Sequence, residues 1–512
     1  MKPARPLPLD GPGVTVDQVV AVARRNEPVE LTPAAIDRME ASRAVVDDPE
    51  AGLRYGISTG FGALATVAIP ENQRAALQVA LIRSHAAGMG PPVEDEVVRA
   101  MTFLRARTLA MGASGARPDV AQGLVDLLNA GITPRVPEYG SLGASGDLAP
   151  LAHVALTLLG EGEVDHYGQL RPAAAALRDA RIAPLVLSQK EGLALTNGTD
   201  GSLGMLCLAC HDAAHLLRIA DVVAALTAEG LLATDRPYAA DLQALRPHPG
   251  QAVSAANLRC MLAASPIVAS HREDDPRVQD AYSIRCTPQV HGAARDTLAF
   301  AVAVVDRELA SAIDNPLVLA DGRVESCGNF HGAPLGYAAD FLAIALADTG
   351  AIAERRTDRL LDPARSHGLP PFLAEQPGVD SGLMIAHYTA AALCEENRRL
   401  AAPASVDSLP TSAMQEDHVS MGWNAARKLR RVLANLGRIL AVELVAAARG
   451  VELRAPLAPA AASGAVIRVL RERVPGMGPD RFVAPELAAA EDLVWSDELG
   501  EAVRAATGTE LG

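Results

Sequence analysis

Residues 140–146 read Gly-Ser-Leu-Gly-Ala-Ser-Gly, and the last three have a chemical capacity that ordinary turns do not use. Gly146 has no side chain to keep its backbone nitrogen from closing on the Ala144 carbonyl, and Ser145 has a hydroxyl that can leave as water. Cyclisation with loss of two waters gives a five-membered ring with an exocyclic methylidene, an electrophile that no ordinary side chain offers. The same residues also make a turn before the run Asp147-Leu-Ala-Pro-Leu-Ala-His153, with Asp147 placed to cap or charge the N-terminus of a helix. Residue types alone leave both readings open.

Other chemistry-bearing groups point to less. His211 and His215 share a helix face at a spacing of four, but no third ligand accompanies them and no metal is expected. Cys207 and Cys210 form a CxxC inside the apolar run Leu203–Cys210, without a second pair to complete a zinc site, so two buried thiols on a helix are expected. The chain has no GxGxxG after a strand, no GxxxxGK[ST], no HExxH and no GxSxG, so phosphate-cradle, metalloprotease and serine-hydrolase readings lack support.

The elements that must carry these groups are mostly helices. A Pro-rich lead-in and a short helix occupy residues 1–25. Residues 26–200 mix helices with Gly-containing turns, among them Tyr55-Gly-Ile-Ser-Thr-Gly-Phe-Gly62. In 420–449, Leu429, Val432, Leu433, Leu436, Leu440 and Leu444 recur at spacings of three and four, and Gly450 stands where a C-terminal stop belongs. The stretch 334–361 is apolar almost all round, through Leu335, Phe341, Leu342, Ile344, Leu346 and Ile352, which predicts a helix buried among others. Helices are also expected over 292–313 and 382–402. The fold class read from this is mainly α: an N-terminal loop-rich helical domain over 1–200, and a bundle of long, roughly antiparallel helices over 201–512.

Composition agrees. Apolar residues make up 49% of the 512 and aromatics only 3%, a balance that suits helices packed on helices. The net charge of -15 argues against a nucleic-acid partner. Six scattered cysteines form no disulfide framework, the N-terminus lacks an apolar signal-peptide core, and no uncharged apolar stretch is long enough to span a bilayer. A cytoplasmic protein without a membrane partner is expected.

The residues around the glycine loops carry the argument further. Gly140–His153 closely resembles the signature of the aromatic amino-acid ammonia-lyases and aminomutases, which build a methylidene-imidazolone (MIO) from Ala-Ser-Gly. Tyr55–Gly62, Ser84-His-Ala-Ala-Gly88, Asn197-Gly-Thr199, Gln279–Cys286, Asp314-Asn-Pro316, Gly328-Asn-Phe-His331 and Gln415–Met421 resemble segments of that family, in its order. The similarity covers residues 50–425 and the helical tail to 450, and leaves the C-terminal segment unplaced. Ser58 stands where many histidine-directed members carry asparagine.

The resemblance implies roles that match the demands of removing ammonia from an α-amino acid. The amine is a poor leaving group, so an electrophile that captures it is needed, and the resemblance assigns this to an MIO formed from Ala144, Ser145 and Gly146. The β-hydrogen is barely acidic, so a positioned base is needed, and the resemblance assigns Tyr55, whose pKa must then lie below the usual value of about 10. Arg285 would grip the substrate carboxylate with its planar fork. Asn197, Gln279 and Tyr282 would line the ring and the substrate's amine and carboxylate, and Phe330 would pack on the ring. Ser84-His85 and Gln415-Glu416 resemble the histidine-directed branch, in which His85 and Glu416 would give an imidazole polar partners. The expected substrate is therefore L-histidine, giving trans-urocanate and ammonia as the first step of histidine degradation. The expected assembly is a homotetramer whose active sites combine loops from several subunits, with no metal or diffusible cofactor. A tyrosine or phenylalanine lyase or an aminomutase is the alternative within the family, and a helical scaffold whose glycine loops are merely turns is the alternative outside it.

Overall fold

The computed structural model describes residues 5–48, 58–60, 64, 66–273 and 275–512. Among these, twenty α-helices carry the chain, and the strands are only two to four residues long. The mainly α class expected from composition and periodicity is what is found. Contacts divide the chain into two compact units: residues 1–211, 301–340 and 403–427, and residues 212–300, 341–402 and 428–512.

The first unit holds all the described strands, in four small sheets. Leu7–Leu9 pairs in parallel with Val29–Leu31, and Met89–Pro92 pairs antiparallel with Pro137–Tyr139, just before the Ala-Ser-Gly loop. Helix Asp95–Ala110 runs through this unit's core, with every residue from Val97 to Ala110 buried. Three of those residues are arginines, which a core tolerates only when their N–H groups find acceptors. Arg105 donates to the carbonyls of Asn197 and Ile313, both at 2.9 Å, and so ties two loops of the site to a rigid helix.

The second unit is helical. Helix Gly422–Glu452 buries Leu429, Val432, Leu433, Leu436, Leu440 and Leu444, as their spacing predicts. Each such side chain contributes about 1.5–3 kcal/mol when fully buried, so this stripe is a principal source of the unit's stability. Gly450 does not stop the helix, which runs on to Glu452. A Cβ at Gly450 would lie 3.0 Å from Leu360 Cδ2 and 3.7 Å from the Gly230 Cα, so this glycine lets helices approach closely instead. Arg356 and Glu443 form a fully buried pair here, Nε to Oε1 at 2.5 Å and Nη2 to Oε2 at 2.9 Å, with Thr227 Oγ1 donating to the same carboxylate.

The other expected helices appear as Thr287–Leu309, Ala333–Leu361 and Met384–Leu400. One expectation needs correcting. In Ala333–Leu361, Leu335, Leu342 and Leu346 are buried, but Phe341, whose ring lies 6.0 Å from that of Phe300, and Ile344 are nearly half exposed. Two helices, Asp200–Gly230 and Ala333–Leu361, are long and apolar enough to cross a membrane by length and composition alone, although charged residues interrupt both. The most apolar windows of these helices are 78% and 56% buried within the protein. Cys207 and Cys210 lie buried on the first of these, and burial pushes the Cys210 thiol up to about 12.

Candidate active site

The Ala-Ser-Gly loop is built by backbone conformations that side chains resist. Gly143, Ser145 and Gly146 all have positive φ, at 76°, 51° and 79°. For Ser145 this costs about 1–2 kcal/mol relative to ordinary backbone, a strain of the kind kept at functional sites. Gly143 bridges to Gly146, Gly146 bridges to Gly198, and Asp147 N–H donates to the Gly198 carbonyl at 2.7 Å. A Cβ on Gly146 would lie 2.1 Å from the Gly198 carbonyl oxygen, so only glycine fits. Ser145 is thereby held at the cavity wall, with the Gly146 nitrogen unhindered by any side chain of its own. These features fit the ring-forming role that the resemblance assigns to this tripeptide.

Asp147 occupies the N-cap of helix Leu148–Leu158, where the sequence reading placed it to cap or charge the N-terminus, but its side chain makes no capping hydrogen bond. Its carboxylate is claimed by tertiary partners instead: Oδ2 accepts from Ser202 N–H at 2.8 Å, and Oδ1 accepts from Ser202 Oγ and Ser141 Oγ, both at 3.0 Å. Burial pushes this carboxyl up to about 6, against the pull of those hydrogen bonds.

One cavity of about 470 Å³ in the first unit is lined by Ser145, Asn197, His85 and Glu416, with Leu81 and Ser412 among its other walls. His85 ends helix Arg74–His85. Burial holds its pKa below the ordinary value, so the ring is neutral near pH 7. Ser84 Oγ donates to the Leu81 carbonyl at 3.0 Å and lies 3.1 Å from His85 Nδ1. With its one proton used, the Ser84 hydroxyl accepts from Nδ1–H, which leaves the Nε2 lone pair for another partner.

Glu416 is presented by a tight loop. Thr411 and Glu416 pair backbone to backbone, and Thr411 Oγ1 donates to Glu416 Oε2 at 3.1 Å. Between them Ser412, Ala413 and Met414 all have positive φ. Nothing in the sequence flags this left-handed run, since none of the three is glycine.

Asn197 caps helix Glu191–Thr196 and is 1% exposed. Its Nδ2 donates to Asp314 Oδ1 at 3.0 Å and to the Asn315 carbonyl at 2.9 Å. Asp314 Oδ2 in turn accepts from Lys190 Nζ at 2.7 Å, with both side chains fully buried. The sequence reading named neither Lys190 nor the Asp314 side chain as part of the site, because only the folded chain brings them together.

The remaining sequence-derived residues fall elsewhere. Phe330 is half buried, and the cavity walls do not include it. Gln279 and Arg285 line a separate cavity of about 510 Å³ within the second unit. There the Arg285 guanidinium carbon sits 4.4 Å over the centre of the Tyr282 ring, and its Nε is buried without an acceptor among the described residues. Tyr55 lies outside the described residues.

Comparison with known proteins gives one consistent answer. The family described as aromatic amino acid lyase matches residues 14–472. A protein of Streptomyces avermitilis named histidine ammonia-lyase is 60% identical over 500 residues, covering 97% of this chain and 98% of its own length. Among solved structures, histidine ammonia-lyase from Trypanosoma cruzi superposes with a TM-score of 0.90 at 39% identity, covering 98% of this chain and 96% of its own. Tyrosine aminomutase from Streptomyces globisporus superposes with a TM-score of 0.93 at 38% identity, covering 99% and 100%. By the span of the family match and the extent of these similarities, the chain belongs to the aromatic amino acid lyase family.

Proposed function

We propose that this enzyme is a histidine ammonia-lyase that converts L-histidine to trans-urocanate and ammonia. The observation that carries the reading is the single cavity lined by His85, Glu416, Asn197 and Ser145. Lyase and aminomutase folds superpose on the chain about equally well, so the fold does not choose between them. His85 and Glu416 in an otherwise largely apolar wall, and the names of the 60%-identical relatives, favour histidine.

An MIO ring formed from Ala144, Ser145 and Gly146 supplies an electrophile that captures the substrate's amine and turns it into a leaving group. The chain's own residues do the rest. Tyr55 takes the β-proton. Neutral His85 and the Glu416 carboxylate hydrogen-bond the imidazole, Glu416 being braced by Thr411. A phenyl ring would leave both groups unpaired, at about 1–3 kcal/mol for each. Arg285 meets the carboxylate with its free Nε–H, its plane steadied against Tyr282, and Gln279 lies beside it. Phe330 would pack on the prosthetic ring, the role that the family resemblance implies for it. These groups act in an assembled homotetramer whose sites combine loops of several subunits. The exposed aromatic pair Phe300 and Phe341 and the exposed Ile344 support such an assembly. Six unpaired cysteines support a reducing, cytoplasmic setting.

The test is to incubate the purified enzyme separately with L-histidine, L-tyrosine and L-phenylalanine and follow near-ultraviolet absorbance, because each elimination conjugates a new double bond to the ring. A rise with histidine alone is expected. A rise only with tyrosine or phenylalanine would overturn the assignment of His85 and Glu416, and no rise with any of the three would overturn the lyase reading.

A further inference from the structure

The orientation of the Asn197 amide is dictated by its neighbours. Nδ2 points at Asp314 Oδ1 and at the Asn315 carbonyl, and both can only accept. The reversed amide would set oxygen against two oxygens, so chemistry fixes which end is which. Oδ1 must then face the other way, and it is buried without a hydrogen-bond partner among the described residues. Buried acceptors are seldom left so, since each lost hydration that nothing replaces. Asn197 shares its cavity with Ser145, so a bound molecule is available to supply the missing donor.

Behind Asn197 stands a charge pair. Asp314 accepts from Asn197 and from the Asn315 N–H on Oδ1, and from the Lys190 ammonium on Oδ2. Lys190 lies at the head of the short helix Glu191–Thr196, and Asn197 lies at its foot. An ion pair buried this completely contributes little net stability, because desolvating two charges offsets their attraction. What it does provide is an acceptor of fixed position and orientation on one side of Asn197.

We infer that the Lys190–Asp314 pair is a positioning device that makes Asn197 present an acceptor, never a donor, to the cavity, and that this acceptor takes an N–H of the substrate's α-ammonium group. The inference rests on the lyase reading above and names two residues that act through Asn197 without touching substrate.

Two double variants separate positioning from support of the fold. Lys190→Met with Asp314→Leu removes the charges together and also removes one of the two acceptors of the Asn197 Nδ2, leaving the Asn315 carbonyl. Lys190→Met with Asp314→Asn removes the charges but returns an amide oxygen to the side facing Asn197. Calorimetric affinity is measured for L-histidine and for imidazolylpropionate, the same molecule without the amine, alongside kcat/KM and intact mass. In the leucine variant, kcat/KM and affinity for L-histidine should fall about ten- to hundredfold, while affinity for imidazolylpropionate stays within about twofold. The asparagine variant should recover most of the loss, and both chains should still be lighter than their own sequences by two waters. Equal weakening of both ligands, undiminished histidine binding in the leucine variant, or no recovery in the asparagine variant would each overturn the proposal while leaving the lyase reading intact. A wild-type enzyme that neither loses two waters nor acts on L-histidine would sink that reading first, and the proposal with it.

Discussion

Asp147→Asn probes the support of the Ala-Ser-Gly loop through its pH dependence. The Asp147 carboxyl is fully buried, and burial raises its pKa from 3.8 to about 6 even though Ser202 and Ser141 donate to it. In the unfolded chain the group titrates near its ordinary value, so the folded state binds the proton more tightly. A carboxyl raised in this way contributes most to stability below about pH 4, and that contribution is lost as pH rises through about 6. The shift of roughly two units corresponds to about 3 kcal/mol in all, of which about 2 kcal/mol falls between about pH 4.5 and about pH 7. Asparagine keeps the size of the side chain and does not titrate. Urea unfolding of both proteins at the two pH values gives the wild-type stability minus that of the variant. This difference should shrink by about 2 kcal/mol on going from the acid to the neutral value. A difference that stays constant or grows would show that the serine hydrogen bonds outweigh desolvation, and would refute the reasoning.

Other outcomes follow from the same geometry. Gly146→Ala forces a Cβ to within 2.1 Å of the Gly198 carbonyl oxygen, so the chain should retain its full sequence mass and lack activity; a ring-bearing, active variant would contradict the close approach. Glu416→Gln should lower kcat/KM for L-histidine by about tenfold to a hundredfold, read from steady-state rates; an unchanged value would remove Glu416 from the imidazole's partners. Glu443→Ala strands the buried Arg356 guanidinium and should destabilise the protein by about 3–5 kcal/mol, read from the shift of its denaturation midpoint.

How much could be read from the sequence differed by kind of feature. The stripe Leu429–Leu444 was legible because period alone fixes which face of a helix is buried. Gly450 was misread because a glycine that ends a helix and one that lets helices approach look alike until Gly230 and Leu360 are in place. Asp147 stands at the cap position, but its carboxylate is taken by Ser141 and by Ser202 of another helix, and the second of these contacts has no local signal. Phe341 and Ile344 are as apolar as their buried neighbours, and only the three-dimensional arrangement shows that they stay nearly half exposed. Ser145, Asn197, His85 and Glu416 could be grouped only through resemblance, since their types and spacings say nothing of a common cavity. The Lys190–Asp314 pair and the left-handed run at Ser412–Met414 had no signal in the sequence, because one depends on a long-range contact and the other on backbone angles that its residue types do not favour.

The central claim is that Ala144, Ser145 and Gly146 become an electrophile, and intact mass spectrometry of the purified chain tests it most directly. The wild-type chain should be lighter than its sequence by two waters, and Ser145→Ala should show its full sequence mass and no turnover of L-histidine. A wild-type chain at full sequence mass that nevertheless releases ammonia from L-histidine would contradict the account.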